Sequence, residues 1–169
     1  MGCRLTPRRP EPLSDTHDLV GFESGTASLD DWLRRRARPN QVSGASRTFV
    51  LVDEAGAVIG YYVLASGAIT ITEATGKFRR NMPDPIPAVV LARLAIARNQ
   101  QGKGLGRALT MDCFQRVISA ADQVGVRGLV VHAISEEAAA FYRKLGFSAS
   151  LTSPATLMIT LAELRDSIA

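Results

Sequence analysis

Between Arg93 and Leu109 the chain reads RLAIARNQQGKGLGRAL, with glycines at 102, 104 and 106, a lysine at 103 and an arginine at 107. Residues of these types give up side chains and supply backbone N–H groups and positive charge. They stand where an apolar run passes into a helical pattern. Such a junction is a ready anion site, because the first N–H groups of a helix lack intrahelical partners and the helix dipole adds partial positive charge. Glycine also lets the backbone approach an anion with no Cβ in the way. A plain connecting turn would carry the same glycines, so other residues must decide. A mononucleotide loop needs Ser or Thr directly after its Gly-Lys pair, and here Gly104 follows Lys103. A dinucleotide fold places its glycines after the first strand and an acid at the end of the second. These glycines come late, and VVHAI ends without an acid.

The surrounding elements must place that stretch. SLDDWLRRRA predicts a helix with Ser28 as cap, Asp30 and Asp31 at its positive end and arginines toward its negative end. Leu29, Trp32 and Leu33 share one face, and Pro39 is expected to end the helix or to lie close to its end. Two β-rich runs flank a turn at Asp53–Gly56, a hairpin signal. FRRNMPDPIP, with prolines at 83, 85 and 87, predicts an extended loop without regular pairing. AVVLARLAIA reads as a buried strand. The helix after the glycines should turn Leu105, Leu109, Cys113, Val117, Ala120 and Val124 to the core. VRGLVVHAI is another strand, SEEAAAFYRKLGF a helix closed by Gly146, and TLMITL the last strand. The order implies an α/β fold with a mixed central sheet.

The chain has 169 residues, 46% hydrophobic and 21% charged, which suits one globular domain over residues 1–169 with a flexible tail at 1–11. No apolar run is long enough to cross a bilayer. MGCRLTPRRPEP lacks the apolar segment of a secretory signal, and Pro7 stands where a myristoylation signal needs Ser or Thr. Cys3 and Cys113 make neither a disulfide framework nor a metal site, so the expectation is a cytoplasmic protein without metal. A net charge of +4 favours polyanionic partners modestly.

Gln101-Gly102-Lys103-Gly104-Leu105-Gly106 matches the Q/R-x-x-G-x-G/A pattern of the GNAT acetyltransferases, and AAAFYRKLGF resembles the second signature of that family. The resemblance implies the GNAT fold, a mixed central sheet flanked by helices, with acetyl-coenzyme A as co-substrate. Its diphosphate would lie on Gln101, Gly102, Lys103, Gly104, Leu105, Gly106 and Arg107. The main chain of Leu94, Ala95 and Ile96 would pair with the pantetheine arm and offer an N–H to the developing oxyanion. Tyr142 is the candidate acid for the departing thiolate. Phe141 and Leu145 are expected to face the core and so turn Tyr142 elsewhere. A phenol is mostly protonated at neutral pH.

No side-chain base is evident. VVLARLAIA holds no carboxylate, and of the two histidines His132 lies in a buried-looking strand where a structural role is expected. A lysine amine near pKa ~10.4 needs deprotonation, whereas an α-amine near ~8 is partly neutral already. The missing base therefore leans toward an α-amine acceptor. LDDWL, GYYVLASG and TEATGKFRRNMPDPIPAVVLARLAI, together with the motifs above, are similar to the GNAT toxins of bacterial toxin–antitoxin modules. That resemblance implies acetylation of the α-amine of aminoacyl-tRNA, with translation blocked. It also implies a homodimer, a ribbon–helix–helix antitoxin, and DNA contact only through the antitoxin complex. Arg34, Arg35, Arg36, Arg79, Arg80 and Arg93 are the candidates for tRNA phosphates. The alternatives are an acetyltransferase of a small amine or a protein N-terminus, and a non-catalytic module that binds coenzyme A or nucleic acid.

Overall fold

The computed structural model describes residues 8–169. Cys3 and the N-terminal signal question fall outside those residues, as does most of the expected tail. Glu11 is not tail: Glu11–Pro12 forms β1, paired antiparallel with β2 (Arg47–Val52) through Glu11 and Val50. The remaining strands are β3 (Val58–Ile69), β4 (Ile86–Ile96), β5 (Gly128–His132), β6 (Ser148–Ala149) and β7 (Thr156–Thr160). They make one seven-stranded sheet in the order β1-β2-β3-β4-β5-β7-β6, flanked by helices. The sheet is mixed. β4 and β5 run parallel, whereas β7 is antiparallel to both β5 and β6.

The chain divides into two compact units. One contains the described residues up to Val63 together with Arg93–Asp112. Its core gathers Leu29 and Leu33 from α1 (Ala27–Arg35), Ala37 from α2 (Ala37–Ser43), and Val50, Val52, Tyr61 and Ala95 from the strands. Leu29 and Leu33 are one helical turn apart, so a single face of α1 is buried as expected. One local expectation fails: Thr26, not Ser28, is the N-cap residue. Pro39 lies close to the end of α1, as expected, without itself ending it. The break falls at Arg36, and Pro39 lies in the first turn of α2, where its missing N–H costs no hydrogen bond. The hairpin turn is as expected, with Gly56 N–H donating to the Asp53 carbonyl at 3.1 Å.

The second unit is Leu64–Ala92 with Cys113–Ala169. One of its clusters packs Phe78, Ile86, Ala88, Val130 and Met158. Phe78 belongs to α3 (Gly76–Arg79), so the proline-rich segment is not loop throughout: its start is a short helix and Ile86–Pro87 already belongs to β4. The Thr75 side chain caps that helix from its N-terminus, accepting from Phe78 N–H. In α4 (Leu105–Ala121), Leu109, Cys113 and Val117 are fully buried. Val124 lies beyond the helix end and is 64% exposed, and Ala120 is exposed too. The apolar periodicity outlasts the helix, which ends at Ala121. α5 (Glu136–Lys144) starts at Ser135, whose hydroxyl accepts from Ala138 N–H. After β7 a further helix, α6 (Leu161–Ile168), runs from a reciprocal Thr160–Glu163 capping box.

Candidate active site

The register of β4 with β5 covers Val89, Val90 and Leu91, and β4 then runs on to Ile96 outside it. At its end Ala97 N–H donates to the Ile59 carbonyl at 2.8 Å, and a 3-10 turn at Arg98–Gln100 leads to the glycines. Gly102 and Gly104 take φ of +79° and +80°, a region that other L-residues rarely enter. A Cβ at either would meet no atom within 4 Å, so both face open space and not the core. The first bond of α4 is Ala108 N–H to the Gly104 carbonyl at 3.2 Å. Among the described residues nothing accepts from the backbone N–H groups of 102–107. Lys103 and Arg107 are exposed beside them, and among the described residues Lys103 Nζ touches only the Gln100 side chain, at 3.2 Å. Unengaged amides, a helix N-terminus and two cations fit a diphosphate.

Gln101 differs from the expectation. Its side-chain amide donates to the carbonyls of Ser24 at 2.7 Å and Ile96 at 3.0 Å, and its backbone N–H to that of Arg98. Its N–H groups are directed into the protein, so Gln101 fastens the loop and does not offer those donors to an anion. In the preceding strand the Ile96 side chain packs inward. Ile96 Cδ1 and Leu109 Cδ1 fill the space that a Cβ on Gly60 would need, at 3.0 and 3.1 Å. Ala95 is buried, and Leu94 and Ile96 are half-buried.

Tyr142 is 6% exposed, more buried than Phe141, which reverses the expected orientation. Ala139, Tyr142 and Leu145 follow one another at intervals of three and are all buried. Phe141 lies at the edge of that face, its ring 5.1 Å from that of Tyr142, and Phe147 approaches from 5.3 Å. The hydroxyl is a separate matter. It makes no hydrogen bond among the described residues, yet it is not among the fully buried unpaired polar atoms. The ring is thus enclosed while the oxygen reaches solvent. Burial, and then Cys113 nearby, push the phenol's pKa well above its ordinary value, so it stays protonated. The other tyrosines differ: Tyr61 donates to the Leu29 carbonyl at 2.6 Å and Tyr62 to Asp112 at 2.5 Å. Tyr142 alone among the three offers an unengaged hydroxyl.

The candidate tRNA arginines fall into two groups. Arg34 is tied to the Phe22 carbonyl at 2.7 Å and to Asp31 at 3.2 Å, and the Arg93 guanidinium lies 4.8 Å from the centre of the Trp32 ring. Arg35, Arg36, Arg79 and Arg80 are exposed, and no described residue pairs with them. Arg79 and Arg80 follow the buried Phe78. Arg127 holds that turn, donating from Nε to the Phe78 carbonyl at 2.9 Å and from Nη2 to that of Lys77 at 2.8 Å. Asn81 then turns the chain with φ of +58°, which asparagine tolerates. Arg127 was not singled out from sequence, since nothing local marks a residue that acts on a turn 50 positions away.

The family model described as "Acetyltransferase (GNAT) domain" matches residues 44–149. This chain is a GNAT acetyltransferase. It is 47% identical over 156 residues to the "tRNA-acetylating toxin" of Mycobacterium tuberculosis (strain ATCC 25618 / H37Rv), covering 92% of this chain and 93% of the relative. A solved structure of AtaT complexed with acetyl-methionyl-tRNAfMet superposes with a TM-score of 0.86 at 28% identity, over 95% of this chain and 98% of that one. A second is an AtaT toxin variant, with one tyrosine changed to phenylalanine, bound to the C-terminus of the antitoxin AtaR and to acetyl-CoA. It gives a TM-score of 0.77 at 29% identity, over 92% and 94% of the two chains.

For a GNAT acetyltransferase the remaining question at the site is the base. His132 is the last residue of β5 and is exposed, contrary to the buried position expected of it, with Nδ1 3.1 Å from Thr156 Oγ1. His17 is engaged by Glu11 at 2.6 Å. Sequence had no means of separating a strand's last residue from its interior ones. No helix among the described residues is long and apolar enough to cross a membrane.

Proposed function

We propose that this chain, as one GNAT domain over residues 1–169, transfers the acetyl group of acetyl-coenzyme A to the α-amine of an aminoacyl-tRNA. It thereby acts as a translation-blocking toxin in the cytoplasm. The observation that carries the reading is the row of unengaged amides from Gly102 to Arg107. It lies in a chain whose similarity to a tRNA-acetylating toxin extends over nearly its whole length. Acetyl-coenzyme A supplies an acyl carbon on a good leaving group. Gly102, Lys103, Gly104, Leu105, Gly106 and Arg107 bind its diphosphate, and Gln101 holds that loop in shape. The main chain of Leu94–Ile96 orients the thioester, and an N–H there stabilises the oxyanion. Tyr142 gives its proton to the departing sulfur. The tyrosine-to-phenylalanine change in the solved AtaT toxin supports attention to a tyrosine hydroxyl, and Tyr142 is the unengaged one here.

Arg79 and Arg80 contact tRNA phosphates, with Arg35 and Arg36 as a second group. Arg34 and Arg93 serve mainly to shape their own surroundings. The partners are a charged tRNA, a second copy of the chain, and an antitoxin of the ribbon–helix–helix type through which DNA is reached. The AtaT–AtaR complex supports the antitoxin, and the resemblance of the whole chain supports the dimer.

Purified protein, acetyl-coenzyme A and a mixture of charged tRNAs should yield an acetyl mass increase on aminoacyl-tRNA, none on uncharged tRNA, and matching release of free thiol. Equal or faster acetylation of free amino acids or peptide N-termini would replace this reading. Arg127→Ala checks the arginine turn. Losing two charge-assisted hydrogen bonds at α3 should raise KM for charged tRNA roughly tenfold. Calorimetry should show acetyl-coenzyme A binding unchanged.

A further inference from the structure

Asp30 belongs to α1 and is 4% exposed. The helix dipole and neighbouring arginines would make it an ordinary first-turn acid, but it faces inward. Both carboxylate oxygens accept from Ser24 N–H at 3.1 Å, and Oδ1 accepts from the Ser24 hydroxyl at 2.6 Å. No described cation pairs with it. Burying a carboxylate is costly unless it is hydrogen-bonded, and here the compensating donors all come from Ser24, whose position it therefore fixes. The Ser24 carbonyl, fixed in this way, accepts from Gln101 Nε2 at 2.7 Å, and the same nitrogen donates to Ile96. Around it the Glu23 carbonyl takes Arg98 N–H at 2.8 Å. Gly25, with φ of +94°, leaves room for the Arg98 guanidinium, which a Cβ would meet at 2.9 Å. The 23–25 segment is a template against which 96–101 is laid.

We propose that Asp30 is a positioning residue for the acyl donor: through Ser24 and Gln101 it holds the 102–107 amides and the Ile96 carbonyl at the spacing the donor requires. This rests on the reading of that loop as the acetyl-coenzyme A site. Asp30 itself touches no substrate, so its effect is on binding and not on the proton transfer.

Calorimetric titration with acetyl-coenzyme A, thermal unfolding and steady-state kinetics on the full chain test the proposal. Asp30→Asn keeps the size but turns an amide donor or a single acceptor toward Ser24. The Kd for acetyl-coenzyme A should rise roughly tenfold, while kcat at saturating donor stays within about twofold of wild type. A lowered melting temperature with unchanged Kd would mean a structural role only and would overturn the proposal. Gln101→Glu is the second variant. It sets a carboxylate against two carbonyls, and only its protonated form regains a donor. Its binding deficit, taken against wild type at each pH, should narrow as pH falls from about 8 to about 5.5. A deficit independent of pH, or none, overturns the Gln101 link. Wild-type protein that takes up no acetyl-coenzyme A would instead sink the reading of the loop itself.

Discussion

Tyr142→Phe is expected to lower kcat about a hundredfold or more, the range of a lost general acid, while the Kd for acetyl-coenzyme A stays within about twofold. The substitution is clean for structural reasons. The ring remains between Phe141 and Phe147, and the deleted hydroxyl has no hydrogen-bond partner to strand among the described residues. Melting temperature should therefore hold, and a loss of turnover reports the proton and not the fold. The balance of the step is simple. The C–N bond forms as the C–S bond breaks, sulfur takes the Tyr142 proton, and the proton shed by the amine returns through solvent to the phenolate. Because burial raises the pKa of Tyr142, the acid stays charged with its proton across the working range. The pH profile of kcat/KM should rise with deprotonation of the acceptor amine, near ~8, and show no falling limb below about pH 10. Unchanged turnover in the phenylalanine variant would remove Tyr142 from the mechanism.

The same raised pKa has a stability consequence of definite sign. Above about pH 10 the unfolded chain releases the phenol proton while the folded chain keeps it. Stability from this group is complete below that pH and declines as pH rises through the higher native value.

Reversing Arg79 and Arg80 together to glutamate should cut kcat/KM for charged tRNA by roughly a hundredfold at low salt and leave acetyl-coenzyme A binding intact. Both side chains are exposed and unpaired among the described residues, and the turn that carries them is fixed by buried Phe78 and by Arg127. The loss should shrink as salt is raised. Fewer phosphate contacts release fewer counterions, so the variant's salt slope is shallower than that of wild type. Parallel slopes would argue that these arginines act on the fold of the loop and not on phosphates. The same reversal at Arg34 should do less to the slope, since that guanidinium is already held by Asp31 and a carbonyl.

What could be read from the sequence alone are features set by neighbours within a few positions. Glycines at 102 and 104 mark a left-handed, side-chain-free approach to a helix start, Gly146 closes its helix with a left-handed φ, and Asp53–Gly56 closes a hairpin. Each is a demand of local backbone geometry, so residue type and spacing suffice. Tertiary structure decided what depends on distant partners. Phe141 and Tyr142 are adjacent aromatics, and only the packing of Phe147 and Leu145 determines which of them is enclosed. Asp30 reads as a dipole-friendly acid at a helix start until Ser24 is brought to it. Gln101 reads as a ligand residue until the Ser24 carbonyl, 77 positions earlier, takes its amide. Arg127 has no signal at all before the turn at Lys77 and Phe78 folds against it. Hydrogen-bond donors and acceptors are promiscuous in sequence. They become specific only when chain closure places one partner within reach and excludes water from the others.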